Sequence, residues 1–95
     1  MNVISRSTIR EFIEKDNRCE QQLNSWYHLA ILADWKKPQD VKSKFSSASF
    51  LPGNIVVFNI KGNSYRLVTR IAYNCGSVYI QFIGTHAEYN KKKFG

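Results

Sequence analysis

The chain closes on "FIGTHAEYNKKKFG", residues 82–95, which gathers groups able to move a proton, stack on a base or hold a phosphate. His86 supplies an imidazole, a group that titrates near pH 6.5 in model peptides and so can take or give a proton close to neutrality. Tyr89 offers a ring and a phenol, and Lys91, Lys92 and Lys93 offer positive charge. Upstream, Lys61, Arg66 and Arg70 add three cations on segments with strand patterning. Arginine suits phosphate because its planar fork donates two bonds at once. Scission of RNA without a metal needs this set of groups. A base removes the 2′-hydroxyl proton, cations hold the phosphate as charge builds, and an acid protonates the leaving 5′-oxygen. An ordinary role stands beside each. His86 fits a capping or surface residue at a strand end, Arg70 a solvent-facing strand residue, the lysine run a solvated tail, and His28 a structural position on a helix. Lysine is a poor base at its usual pKa of ~10.4 unless neighbouring cations lower it.

The 95 residues suffice for one small domain, and 43% hydrophobic content with 14% aromatics suffices for a single core. Net charge is +7. Residues 1–40 carry six basic and six acidic side chains, whereas 41–95 carry eight basic ones and a single acid, Glu88. The excess therefore lies wholly in the C-terminal half and points to a polyanion met there, nucleic acid ahead of an acidic protein. So few acids leave little room for a two-metal carboxylate nuclease, and no GxxxxGK[ST], GxGxxG or HExxH motif occurs. No metal and no cofactor are expected. Cys19 and Cys75 form no ligand-like pair and are expected to stay reduced. Without a long apolar run or a signal-like start, the expectation is a cytoplasmic protein with no membrane contact.

These groups must be positioned by elements that the pattern specifies. "MNVIS" suits a first strand, and Thr8 with Glu11 resembles a capping box opening a helix through about Asn17. Leu23, Trp26, Tyr27, Ala30, Ile31 and Asp34/Trp35 recur at helical spacing from Glu20, a helix that Pro38 ends. Pro38 then starts a short helix through Phe45, and "SSASFLPGN" reads as a loop. Strands follow at 54–60, 65–73 and 77–84, joined by the turns "KGNS" and "NCGS". The fold class is α+β, with an N-terminal strand and two to three helices packed on one face of a small, mainly antiparallel sheet.

Pairing Ile60 with Tyr65, and Tyr65 with Gly84, predicts the faces of that sheet. Val56, Phe58, Ile60, Tyr65, Leu67, Thr69, Ile71, Val78, Ile80 and Phe82 share the face toward the helices. Asn59, Arg66, Arg70, Tyr79 and Gln81 share the other face with Ile55, Val57, Val68 and Ile83. The same register brings Lys61, Arg66 and His86 to one end of the sheet, with Tyr89 and the lysines close by. These residues, distant in sequence, thus converge on one basic patch. Asn59, Arg70, Tyr79, Gln81, Lys91, Lys92 and Lys93 are the candidate RNA contacts.

"ADWKKPQDVKSKF", "VVFNIKGNSYRLVTRIAY" and "VYIQFIGTHAEYNK" resemble the HigB toxins of bacterial toxin–antitoxin modules, members of the RelE-like mRNA interferases. The resemblance runs over nearly the whole chain and is most specific between Trp35 and Tyr89. It implies a compact toxin that enters the ribosomal A site and cuts mRNA there by 2′-hydroxyl attack, leaving a 5′-hydroxyl. It also implies a HigA-like helix-turn-helix antitoxin, with a toxin monomeric alone and bound in a higher-order complex with that antitoxin. Lys61 and Arg66 match the family's basic strand positions, and His86 and Tyr89 its "THAEY" motif, so the resemblance implies that these four are the catalytic residues. The family often has arginine at Gln81 and an acidic residue at Asn90, so this chain departs from the pattern twice. Two other readings suit the same residues: an RNA- or ribosome-binding module that does not cut, and a domain whose basic half docks an acidic protein.

Overall fold

A computed structural model of the chain describes residues 1–92. The elements run β1 (Asn2–Ile4), α1 (Arg6–Lys15), α2 (Glu20–Leu32), α3 (Pro38–Lys44), β2 (Ser49–Leu51), β3 (Ile55–Ile60), β4 (Tyr65–Ala72), β5 (Ser77–Thr85) and α4 (His86–Asn90). The strands form one sheet of order β1-β5-β4-β3-β2, antiparallel except where β1 lies parallel to β5. This is the expected α+β architecture of helices on a mainly antiparallel sheet.

The helical face builds the main core. Ile9 of α1, Leu23, Trp26 and Ala30 of α2, and Val41 of α3 pack on Val56, Phe58, Leu67, Ile71 and Val78 of the sheet. Phe58 stands at its centre, edge-on to Trp26 and Phe45 and stacked with Trp35, so both tryptophans serve packing, as helical spacing implied. Aromatic pairs of this kind add ~0.5–1.5 kcal/mol beyond their buried area.

The structure corrects the sequence reading at five places. α1 begins two residues before Thr8, behind Ser5, whose φ of 71° is left-handed, so Thr8 lies inside the helix and caps nothing. α2 stops at Leu32, and an irregular stretch precedes α3, whose first turn is held by Asp40 Oδ2 accepting from the backbone N–H of Lys36 and Lys37. The presumed loop 46–54 contains the edge strand β2, paired with β3 from Ser49↔Val57 to Leu51↔Ile55. His86–Asn90, given no element by the sequence reading, form α4, and His28 is exposed on α2 and carries no part of the core.

The fifth correction concerns register. Ile60↔Tyr65 pairs as expected, and Thr69↔Ile80 through Ala72↔Ser77 follow the predicted alignment of β4 with β5. Between Val68 and Thr69 the ladder slips by one, because Gln81 is an extra residue on β5. Beyond this bulge Tyr65 pairs with Thr85 instead of Gly84, and Arg66 with Gly84. Phe82 and Ile83 therefore exchange faces: Ile83 joins the helix-side core, and Phe82 packs with Ile55, Val57 and Val68 on the other. A bulge re-aims side chains in this way while leaving the pairing on either side intact.

Candidate active site

Three strand ends meet at one edge of the sheet. The turn 61–64 closes β3 onto β4 with Ser64 N–H donating to the Lys61 carbonyl at 3.2 Å, and Lys61 (φ 54°) and Gly62 (φ 65°) both adopt left-handed backbone. Such a φ is unstrained for Gly62 but costs energy at Lys61, a cost that clusters at functional positions. The third strand is tied to this turn as it leaves the sheet, since His86 N–H donates to the Ser64 carbonyl at 3.1 Å. Lys61, Arg66 and His86 are thereby gathered at one end, as the register implied.

α4 holds His86 and Tyr89. Its five residues are too few to persist alone, and a reciprocal cap stabilises it. Thr85 Oγ1 accepts from Glu88 N–H at 3.2 Å, and Glu88 Oε1 accepts from Thr85 N–H at 2.8 Å. Bonds from Thr85 hold the Glu88 carboxyl below its ordinary value. Gly84 lets this turn close: a Cβ there would lie 2.5 Å from Phe82 Cζ and 3.0 Å from Glu88 Oε1. Tyr89 reaches back onto the cluster of Ile55, Val57, Val68, Leu51 and Phe82. The face opposite the main helices is thus partly closed by α4 and carries a small core of its own.

The imidazole of His86 is exposed, and its Nδ1 lies 2.9 Å from Asn90 Nδ2, one helical turn on. This contact ties the ring to the residue one turn along α4. Arg66 pairs across to Asn59 on one side and Gly84 on the other. Its Nη1 donates to the carbonyls of Asn63 and Tyr65 at 3.1 and 3.4 Å, which fixes the guanidinium over the turn. Lys61 points the other way, and its Nζ donates to the Arg18 carbonyl at 3.1 Å, on the helical side.

The remaining candidates are scattered along the sheet. Arg70 lies with its guanidinium 4.6 Å from the ring of Tyr79, its cross-strand partner, near the opposite end of β4 from Arg66. Asn59 uses its amide to donate to the Ser47 carbonyl at 3.0 Å. Gln81 is the exposed bulge residue. Lys91 is exposed, Lys92 sits 5.3 Å from the Phe82 ring, and Lys93 lies outside the described residues. Among the described residues no three His, Cys, Asp or Glu side chains gather as metal ligands would, and no helix is long and apolar enough to cross a membrane.

Sequence reasoning missed the brace behind Lys61. Asp16, just after α1, accepts from Arg18 Nε at 2.9 Å, Arg18 Nη2 at 2.7 Å and the Tyr65 hydroxyl at 2.9 Å. These bonds, Arg18's first, hold the Asp16 carboxyl far below the usual range, while burial and the bond to Asp16 push the Tyr65 phenol up. The loop that carries the Arg18 carbonyl is thereby locked to the first residue of β4. "DNR" after a helix was the available signal, since aspartate commonly binds the backbone two residues on, as Asp16 Oδ1 does with Arg18 N–H at 3.1 Å.

A small basic α+β domain that gathers a histidine, an arginine and a tyrosine at one sheet end carries groups suited to a polyanion such as RNA. Residues 19–92 match the family HigB_toxin, the RelE-like toxic component of a toxin–antitoxin system, and the chain belongs to this family. It is 27% identical over 93 residues to the mRNA interferase toxin HigB of Escherichia coli strain K12, covering 95% of this chain and 88% of that protein. The mRNA interferase HigB proteins of Escherichia coli O157:H7 and Shigella flexneri match to the same extent.

Proposed function

We propose that this toxin is an mRNA endoribonuclease that cuts on the translating ribosome by attack of the 2′-hydroxyl on the adjoining phosphate. The 2′-hydroxyl gives up its proton to solvent water, the oxygen–phosphorus bond to the 2′-oxygen forms as the bond to the 5′-oxygen breaks, and the products are a 2′,3′-cyclic phosphate and a 5′-hydroxyl. Arg66 holds the non-bridging oxygens as charge builds on them. His86, acting as general acid from its cationic form, gives a proton to the departing 5′-oxygen. Tyr89 stacks on or hydrogen-bonds to the neighbouring nucleotide, a common use of aromatics in single-stranded RNA sites. Lys61, Lys91 and Lys92 add long-range attraction to the phosphates, and an antitoxin of the HigA kind neutralises the toxin. The observation that carries this reading is the tie from His86 N–H to the Ser64 carbonyl, which holds the backbone of His86 to the turn that Arg66 caps. Family membership and the names of the three relatives support it.

Purified toxin should cut an mRNA in a translating extract and leave the same mRNA intact when it is offered naked. Efficient cutting of the naked RNA, abolished by EDTA, would instead mean a free-standing metal nuclease.

A further inference from the structure

Lys61 turns away from Arg66 into a groove on the helical side of the sheet, and the groove has a chemistry of its own. β2 pairs with β3 only as far as Val57, so the outer edge of β3 beyond it faces α2 across open space. That space comprises a wide mouth of about 1050 Å³, walled by α2, Arg18 and Lys61, and an inner recess of about 480 Å³. Both share Gln22, Ser25 and Lys61 as lining. The recess falls within the size range of small-molecule sites.

Two observations point to a ligand. Gln21, Asn24, Ser25 and His28 stand at i, i+3, i+4 and i+7 on α2 and line the mouth. The helix thus turns a stripe of uncharged hydrogen-bonding groups to the groove, where a solvated helix face ordinarily carries charge. In the recess, Trp26 is 2% exposed, yet its indole Nε1–H has no hydrogen-bond partner among the described residues. Gln22 Oε1, one turn before it, is likewise buried and unmet. A donor and an acceptor left unmet side by side each carry a desolvation penalty that a complementary ligand relieves. Both atoms are closed to solvent, so a ligand reaches them only when the half-buried Gln22 side chain turns aside.

We infer that this groove is a second nucleotide subsite, in which one base of single-stranded RNA pairs with Gln22 and Trp26 while its phosphate lies on Lys61. The inference rests on the RNA-cutting reading above and extends it to a nucleotide beside the one that is cut. A nucleobase edge offers a donor next to an acceptor, and its flat face suits the apolar walls formed by Phe45 and Ile60. Lys61 spends one N–H on the Arg18 carbonyl and keeps the others for phosphate. Arg18 is already engaged by Asp16, and Glu20 at the mouth opposes an anion, so Lys61 is the principal cation. Asn59, two residues before Lys61, pairs directly with Arg66, so the inner wall lies one strand, ~4.8 Å, from the proposed phosphate-binding strand.

The test is an NMR titration of the full chain, following the indole N–H of Trp26 with that of Trp35 as internal control. The probes are the four ribonucleoside 5′-monophosphates and inorganic phosphate. At least one nucleotide should shift the Trp26 signal saturably and phosphate alone should not. Gln22→Leu should weaken that nucleotide roughly tenfold, the equivalent of one lost hydrogen bond. Glu20→Gln should tighten it, and Gln22→Glu, which keeps the side-chain volume, should weaken it as Gln22→Leu does. If no nucleotide moves Trp26 while the toxin still cuts mRNA, the subsite is wrong and the nuclease reading stands. If nucleotides bind there but no mRNA is ever cut, the subsite stands and the nuclease reading falls. A shift from phosphate equal to that from the nucleotides would overturn recognition of a base.

Discussion

His86 and Asn90 stand one turn apart on α4, and their side chains meet at 2.9 Å. Arg66 and Arg70 provide a matched comparison. Both belong to β4, but four residues at ~3.3 Å each separate them by ~13 Å, too far to share one phosphate. Arg66→Ala should lower cleavage roughly 10- to 100-fold, the loss of a charge-assisted hydrogen bond. Arg70→Ala should cost less than about threefold, because its guanidinium is occupied with Tyr79. Equal losses at matched stability would contradict this placement of the phosphate.

The element that matters most to the site is the shortest. α4 exists because Thr85 and Glu88 cap each other, so Thr85→Ala should lower stability by ~1 kcal/mol in a denaturant titration and reduce cutting by loosening His86 and Tyr89. The pH sense follows from Glu88, whose carboxyl is held below its ordinary value. Its contribution is present above the unfolded carboxyl pKa of ~4.3 and is lost as pH falls through the lower folded value, so the gap between wild type and Thr85→Ala should narrow in acid. The same capping rule, applied to the sequence, selected Thr8 and Glu11, where a helix was already running. The true box at Thr85 and Glu88 was readable but followed by too few residues to show a period. α2 was legible because Leu23, Trp26 and Ala30 repeat with the helix, although its apolar residues continue past Leu32 and misled the boundary. β2 was hidden by the Ser, Pro and Gly around it. The bulge at Gln81 carries no glycine or proline to mark it, which is why Phe82 and Ile83 were assigned to the wrong faces.

For the whole molecule, the +7 charge and the sheet topology act together. Antiparallel order alone brings the turn after β3, the start of β4 and the end of β5 to one edge, so the gathering of Lys61, Arg66 and His86 was legible from pairing. What pairing could not give was side-chain direction. Lys61 reaches the helical side because a left-handed residue turns it there and the loop braced by Asp16 receives it. The site is thus a histidine and an arginine on the outer side, with Lys61 on the inner side of the same turn. The most direct test is His86→Gln in a translating extract, with cut sites mapped by primer extension and ribosome binding measured in parallel. Glutamine keeps hydrogen-bonding capacity but exchanges no proton near neutrality, so cutting should fall ~10²–10⁴-fold with binding unchanged. Truncation after Asn90 should weaken binding in a salt-dependent way and spare the chemical step. A His86→Gln toxin that still cuts at the wild-type rate, while the truncated chain is silent, would show that the chain's end is an electrostatic anchor and that the imidazole takes no part in scission.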